Sequence, residues 1–503
     1  MNFTRLGTNR LAFLAALFFA VVGLIGTIVL IIVWQVKLTP FKDYGIVVDA
    51  GSSHSRIFLY SWPSDKSDGL GLTSRVKQEN TWDVDGPGLS YVDPKNISGY
   101  FQTAMKKCTD SVPNNRKGRT LIFLGATAGM RLLQIQNPDL TNRLLNATRT
   151  YFSTLPISFV APENQVRIIS GKEEGLSSWI TGNILYNELY LRNKPLETYG
   201  ITDMGGASTQ MSFIDENDKS SEVTTMNLFD TDYSVYSHSY LCYGQDQFRY
   251  KYRRELVYNA PIESTIITDP CLQPKYNETL MQSSFFNTPC SVRDSPINST
   301  TITFVGSGNF DLCQTIITSL LNKTCNYTTC SFDNVYQPIP LSPTLKLVGI
   351  SAFYTTFDSL APSIPLQPTS PGIYSFDTLN FTILSTVINK ICSTDWIKAN
   401  DSYRQYLCLY STYHWTLFQY GYNLTNDNLK NFQIVQKINN GTIGWTLGYM
   451  INQTNYVDKQ LRPSRMLTRG EFGGLLFMFI LLLVLGAIVA TVVFHNRRQI
   501  RLT

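Results

Sequence analysis

Two stretches without a single charged residue, Leu11–Trp34 and Phe472–Phe494, bracket this chain and constrain its fold more than any other feature. At 24 and 23 residues, each covers the roughly 20 that a helix needs to cross a bilayer. The first is too long for the apolar core of a cleaved signal peptide, so it reads as a retained anchor. Two spans of opposite direction leave residues 1–10 and 495–503 as tails on one side and everything from Lys37 to Arg469 on the other. Arg5 and Arg10 flank the first span and Arg497, Arg498 and Arg501 follow the second, as the positive-inside rule prefers for cytoplasmic tails. Arg462, Arg465 and Arg469 pull the other way, so charge alone decides little. Asparagine sequons decide more. Between the spans, Asn-X-Ser/Thr occurs at Asn96, Asn146, Asn277, Asn298, Asn322, Asn326, Asn380, Asn400, Asn423, Asn440 and Asn452. That density predicts a glycosylated, extracellular domain. All nine cysteines lie in the same region, the usage of an oxidising compartment.

The region between the spans is long enough for two domains around large cores. Its net charge, +5 for the whole chain, is small and gathers in no basic run, which argues against nucleic-acid binding. It shows no short-period repeat and no low-complexity tract, so it reads as one large folded ectodomain.

Within that ectodomain four strand ends carry the chemistry. Tyr44-Gly-Ile-Val-Val-Asp49 is an apolar strand ending in a carboxylate, Ala50-Gly51-Ser52-Ser53 turns, and Ser55–Tyr60 returns. Thr120–Leu124 runs into Gly125-Ala-Thr127-Ala-Gly129 and the opening of a helix. Val166–Ile169 hands over to Ser170-Gly-Lys-Glu173-Glu174-Gly, again opening a helix. Tyr199–Asp203 meets Met204-Gly205-Gly206-Ala207-Ser208-Thr-Gln210, and Met211–Phe213 returns. The first and last units are one device used twice: strand, Asp, Gly/Ser turn, strand. Such turns offer backbone N–H donors to an anion, and two facing each other would clasp a polyphosphate. Other chemistries fit poorly. There is no Gly-x4-Gly-Lys-Ser/Thr loop. The four histidines, His54, His238, His414 and His495, lack zinc-ligand spacing. Gly206-Ala-Ser208-Thr-Gln210 misses the serine-hydrolase elbow at its last position, where that motif has Gly.

Taken together, Asp49-Ala-Gly-Ser-Ser-His54, Gly125-Ala-Thr-Ala-Gly-Met-Arg131, Gly171-Lys-Glu-Glu-Gly175 with Trp179, Asp203–Gln210 and Trp445-Thr-Leu-Gly-Tyr-Met450 resemble the five apyrase conserved regions. The chain is thereby similar to the ecto-nucleoside triphosphate diphosphohydrolases, in the two-anchor, cell-surface layout. That resemblance implies an actin-like α/β fold of two ribonuclease H-like lobes with the active site in the cleft between them. The first lobe would take 43–168 and 433–460, and the second 169–432, with transmembrane helices at 11–34 and 472–494. It also implies hydrolysis of nucleoside tri- and diphosphates to monophosphates at the plasma membrane, with a Ca²⁺ or Mg²⁺ cofactor.

The resemblance assigns roles residue by residue. Asp49 and Asp203 would hold the cation through water. Gly51, Ser52, Ser53, His54, Gly205, Gly206 and Ala207 would bind the phosphates. Thr127, Ser208 and Gln210 would orient the attacking water and the terminal phosphate. Of the adjacent acids, Glu173 stands three residues after Ser170 as in a capping box, so Glu174 is the expected general base. Tyr354 and Tyr420 are the nucleobase candidates, while Trp179 and Trp445 are read as packing. Family order pairs Cys242–Cys290, Cys271–Cys313, Cys325–Cys330 and Cys392–Cys408. Cys108 is left over, because Trp82 stands where cell-surface relatives carry its partner. Two alternatives remain: a Golgi-lumen nucleoside diphosphatase, which labelling of intact cells would separate, and a non-catalytic receptor or adhesion glycoprotein. Association of copies through the transmembrane helices is left open.

Overall fold

The strand reading Lys-Asp-Tyr-Gly-Ile-Val-Val-Asp-Ala, β1 (Lys42–Ala50), is buried along nearly its whole length, and the first lobe is built around it. A computed structural model describes every residue of the chain except 1, 37–40, 188, 190–196, 216–219, 221, 262, 292, 365, 367, 397–403, 439–440, 462–465 and 503. Lys37, Arg462, Arg465 and the sequons at Asn400 and Asn440 therefore lie outside the described residues.

β1 turns back into β2 (Ser55–Pro63), and β3 (Lys77–Val84), β4 (Leu121–Ala126) and β5 (Val166–Ile168) complete a five-stranded sheet of order β3-β2-β1-β4-β5. β1, β4 and β5 run parallel. Ile46 and Val48 face a core closed by the helices Ile97–Asp110 and Pro138–Phe152, while Val47 joins a second core with Trp179, Trp445 and Met450. Burial on both faces is why β1 reads as an unbroken apolar run.

The second lobe begins with β6 (Tyr199–Met204), β7 (Ser208–Phe213), β8 (Val223–Leu228) and β9 (Thr231–Leu241). A small separate sheet follows, β10 (Ile266–Asp269), β11 (Asn277–Met281) and β12 (Thr301–Gly306). The main sheet resumes with β13 (Lys346–Ser351), β14 (Pro368–Ser370), β15 (Ile373–Ser375) and β16 (Phe432–Val435). Its order is β14-β15-β16-β13-β6-β7-β9-β8. With the edge strands β8, β14 and β15 set aside, β9-β7-β6-β13-β16 repeats the first sheet's order, with β6, β13 and β16 parallel. Two lobes of this topology are the ribonuclease H-like halves of an actin-like fold. β16 still pairs in the second sheet, so the return to the first lobe follows it. There, in the helix Trp445–Gln453, Met450 reaches Gly45 and the Trp445 ring lies against Gly125.

The structure forms the disulfides Cys242–Cys290, Cys271–Cys313, Cys325–Cys330 and Cys392–Cys408. Cys108 stays a free thiol, wholly buried in the first-lobe core against which Trp82 also packs.

The apolar termini form a unit of their own. The helices Asn2–Gln35 and Arg469–Leu502 contain membrane-length spans, Arg10–Gln35 and Arg469–Asn496, and pack against each other. Gly23 and Gly26 admit Leu483 and Phe479, and Gly486 sits against Ala16 and Ala20. Trp34 stacks on Phe472 with ring centroids 4.2 Å apart. Close approach through small residues is how helices associate where lipid removes the hydrophobic drive.

Candidate active site

The repeated strand–turn–strand device closes the same way in both lobes. Gly51 N–H donates to the His54 carbonyl at 3.1 Å, and Gly205 N–H donates to the Ser208 carbonyl at 3.0 Å. Side chains could not replace the surrounding glycines. A Cβ on Gly88 would lie 2.5 Å from the Ser52 carbonyl oxygen, and one on Gly129 2.8 Å from the Ser52 Cα. The first turn is thus clamped from two sides. The second is backed by Gly244, where a Cβ would come within 2.3 Å of the Ser208 nitrogen.

Both turns line a cavity of about 540 Å³ between the lobes. Asp49, Gly51, Ser52, Ser53, His54, Thr127, Glu174, Asp203, Gly205, Gly206 and Tyr354 all reach its wall. Ala207 does not, packing instead with Ala128 and Leu132 of the first lobe. Nor does Tyr420. It falls in the π-helical turn Leu417–Gly421 and meets Trp415 edge-on at 6.0 Å. The aromatic neighbour of Tyr354 is Tyr374, 6.0 Å away, and both hydroxyls donate to Asp358. Trp445, read as packing, lines the cavity beside Asp49 as well as filling the core.

Glu174 is delivered by the helix Gly171–Leu185, whose N-terminus is capped by Ser170 accepting from Glu173 N–H at 3.1 Å. That helix lies hard against β7 and β9. A Cβ on Gly175 would meet the hydroxyls of Ser237 and Ser212 at 2.6 and 2.7 Å. Pressed in this way, Glu174 sinks to 9% exposure. Its Oε2 accepts from Arg131 Nη2 at 2.9 Å and from Gln210 Nε2 at 3.3 Å. Arg131 also donates to Ser208 Oγ at 3.1 Å, and Gln210 to the same oxygen at 2.6 Å. Four groups from three strand ends therefore meet at one point. Ser208 and Gln210 form its floor and do not line the cavity itself. Glu173 points elsewhere, into an ion pair with Arg167.

Within the motif Gly125–Arg131 the sequence assigns no role to Arg131. It is the cation of this cluster, with its other nitrogen anchored on the Ile169 carbonyl at 3.0 Å. Only its place directly after Gly-Met in the helix Ala128–Gln136 hinted at the cleft.

Burial raises the affinity of every cleft carboxylate for protons. Asp49 is pushed up to about 7, by desolvation first and then by the negative charge of Glu174. Its Oδ1 is buried without a hydrogen-bond partner among the described residues, and the nearby Trp445 indole only partly offsets the rise. Asp203 is pushed up to about 6 by desolvation, against hydroxyls of Ser351 and Ser178. Ser351 is held at φ +61°, in the left-handed region that disfavours a side chain, where β13 runs beside β6. Glu174 is raised by desolvation and drawn back by Arg131. An orphaned buried carboxylate oxygen and a second raised aspartate suit a cation. No cluster of three or more His, Cys, Asp or Glu ligands occurs among the described residues. Such a pair fits a hard cation that keeps most of its water.

Residues 37–464 match the GDA1/CD39 (nucleoside phosphatase) family. Human ectonucleoside triphosphate diphosphohydrolase 3 is 33% identical over 475 residues, covering 90% of this chain and 85% of that protein. The bovine ectonucleoside triphosphate diphosphohydrolase 1 is 31% identical, covering 95% of this chain and 94% of its own. A crystal structure of nucleoside triphosphate hydrolases from Neospora caninum superposes with a TM-score of 0.58 at 14% identity, over 86% of this chain and 95% of that one, a likeness of fold. On the strength of that profile match and those relatives, this chain belongs to the GDA1/CD39 family and is an enzyme of its nucleoside triphosphate diphosphohydrolase branch.

Proposed function

We propose that this enzyme removes terminal phosphates from nucleoside tri- and diphosphates, down to the monophosphate, outside the cell at the plasma membrane. The observation that carries the reading is the Glu174–Arg131–Ser208–Gln210 cluster under a cavity walled by two glycine turns. The backbone N–H groups of Ser52, Ser53 and Gly206 bind the phosphates, and His54 and Thr127 close the same wall. Both contacts to Glu174 fall on Oε2, so Oε1 is the atom that takes the proton from the attacking water. Ser208 Oγ already accepts two N–H groups, which directs its own proton to the water or a phosphate oxygen. Tyr354 offers its ring to the base, and stacking of that kind tolerates any nucleobase. Asp49 and Asp203 would hold Ca²⁺ or Mg²⁺ through water, which supplies positive charge against the phosphate chain. Four disulfides between the two apolar helices, with the sequons in the same region, support an oxidising location.

Phosphate release from ATP, ADP and UDP by the purified chain with Ca²⁺, repeated with excess chelator, tests the reading. Release from all three, abolished by the chelator with the far-ultraviolet circular dichroism unchanged, is the expected result. No release in Ca²⁺ or Mg²⁺ would overturn it.

A further inference from the structure

Four carboxylates line the cleft: Asp49, Glu174, Asp203 and Asp246. Its substrate, on the reading above, is a polyanion. Among the described residues lining the cavity, Arg56 is the lone Lys or Arg. It sits two residues past His54, on β2, where it pairs directly across the sheet with Asp83 of β3. Its Nε donates to Asp83 Oδ1 at 2.5 Å. That bond holds the root of the guanidinium and uses neither Nη. No hydrogen bond from either Nη to a described residue accompanies it.

We infer that Arg56 is a phosphate-binding residue of this enzyme, its Nη fork oriented by Asp83 and turned to polyphosphate oxygens lying at the first glycine turn. This rests on the nucleotide-hydrolase reading and adds to it a cation supplied by the protein itself. A guanidinium held by one nitrogen, with two parallel donors free, matches the geometry of phosphate recognition. A plain cross-strand ion pair would need no such opening to the cleft, and at 35% and 67% side-chain exposure it would contribute little to stability.

The test uses the full chain in detergent, with Ca²⁺ and ATP or ADP as substrate and inorganic phosphate as inhibitor. Arg56→Gln should raise KM for both nucleotides about ten- to hundredfold, the loss of a charge-assisted hydrogen bond, with kcat changed far less. Inhibition by inorganic phosphate should weaken in parallel. Arg56→Lys, which keeps the charge but not the fork, should fall between. Asp83→Asn should raise KM by a smaller factor than Arg56→Gln, because it frees the guanidinium without removing it. Unchanged KM and unchanged phosphate inhibition in Arg56→Gln would overturn the inference and leave the hydrolase reading standing. A wild-type chain that releases no phosphate would instead overturn that reading. Equal KM changes in Arg56→Gln and Asp83→Asn, with equal falls in melting temperature, would mark the pair as structural and also overturn the inference.

Discussion

Glu173 and Glu174 are neighbours with the same side chain and opposite circumstances. One is about a third exposed, paired with Arg167; the other is buried against Arg131 and Gln210. The difference comes from a rotation of about 100° between successive helix positions, which puts one carboxylate on each side of the Gly171–Leu185 surface. Glu174→Gln keeps the shape and should leave nucleotide affinity in place while turnover falls by about 10²–10⁴. Glu173→Gln should cost little; the reverse order, read from single-turnover rates, would reassign the base. The raised carboxyls also make a stability prediction for the cation-free protein. Asp49 and Asp203 hold protons in the folded state that the unfolded chain has released, between their ordinary value of 3.8 and about 7 and about 6. Stability without cation should therefore fall as pH rises through that window. Thermal melts in chelator from pH 4 to 8 should show the decline, and Asp49→Asn should flatten it. A melting temperature that climbs instead would contradict it.

At the scale of elements, catalytic placement depends on how closely the Gly171–Leu185 helix lies on β7 and β9. Gly175→Ala puts a methyl where the Ser212 and Ser237 hydroxyls now sit, so the helix must back away. A shift of about 1 Å there should cost about 10²-fold in kcat, with about 1–3 kcal/mol of stability. Kinetics and denaturant melts on the same variant check both. The elements themselves were largely readable. β1 and β6 announce themselves as apolar runs ending in Asp, since both faces of each are covered, and the glycine turns follow from their spacing. What could not be read depended on reach and direction. Arg131 meets Ser208 across 77 positions of sequence, and no local pattern encodes where a long side chain ends. Tyr420 was a candidate through family resemblance alone, and it lies in the π-turn Leu417–Gly421 against Trp415, off the cavity wall. The small sheet β10–β12 went unread, its short strands closing only on one another.

For the whole molecule, each lobe brings half of the machinery. On the proposed mechanism the first supplies Asp49, Arg56, Thr127 and Arg131, the second Asp203, Ser208 and Gln210, with Glu174 carried on the helix between the sheets. The disulfides all fall within the second lobe, and the first has none. Cys108 is the exception that the odd cysteine count required, and burial pushes its thiol well above the ordinary range, away from the reactive thiolate. Alkylation without reduction should label it only after denaturation, and mass spectrometry finding it already in a disulfide would refute the pairing described above. Its position carries a practical consequence. With the other eight cysteines locked in pairs, the protein already contains a single concealed reporter in the lobe that has no covalent staple. Under mild heating or low denaturant, the rate at which a thiol reagent captures Cys108 is a stopwatch for breathing of that lobe alone. A nucleotide that bridges the cleft should slow the stopwatch, and one that touches only the second lobe should leave it running.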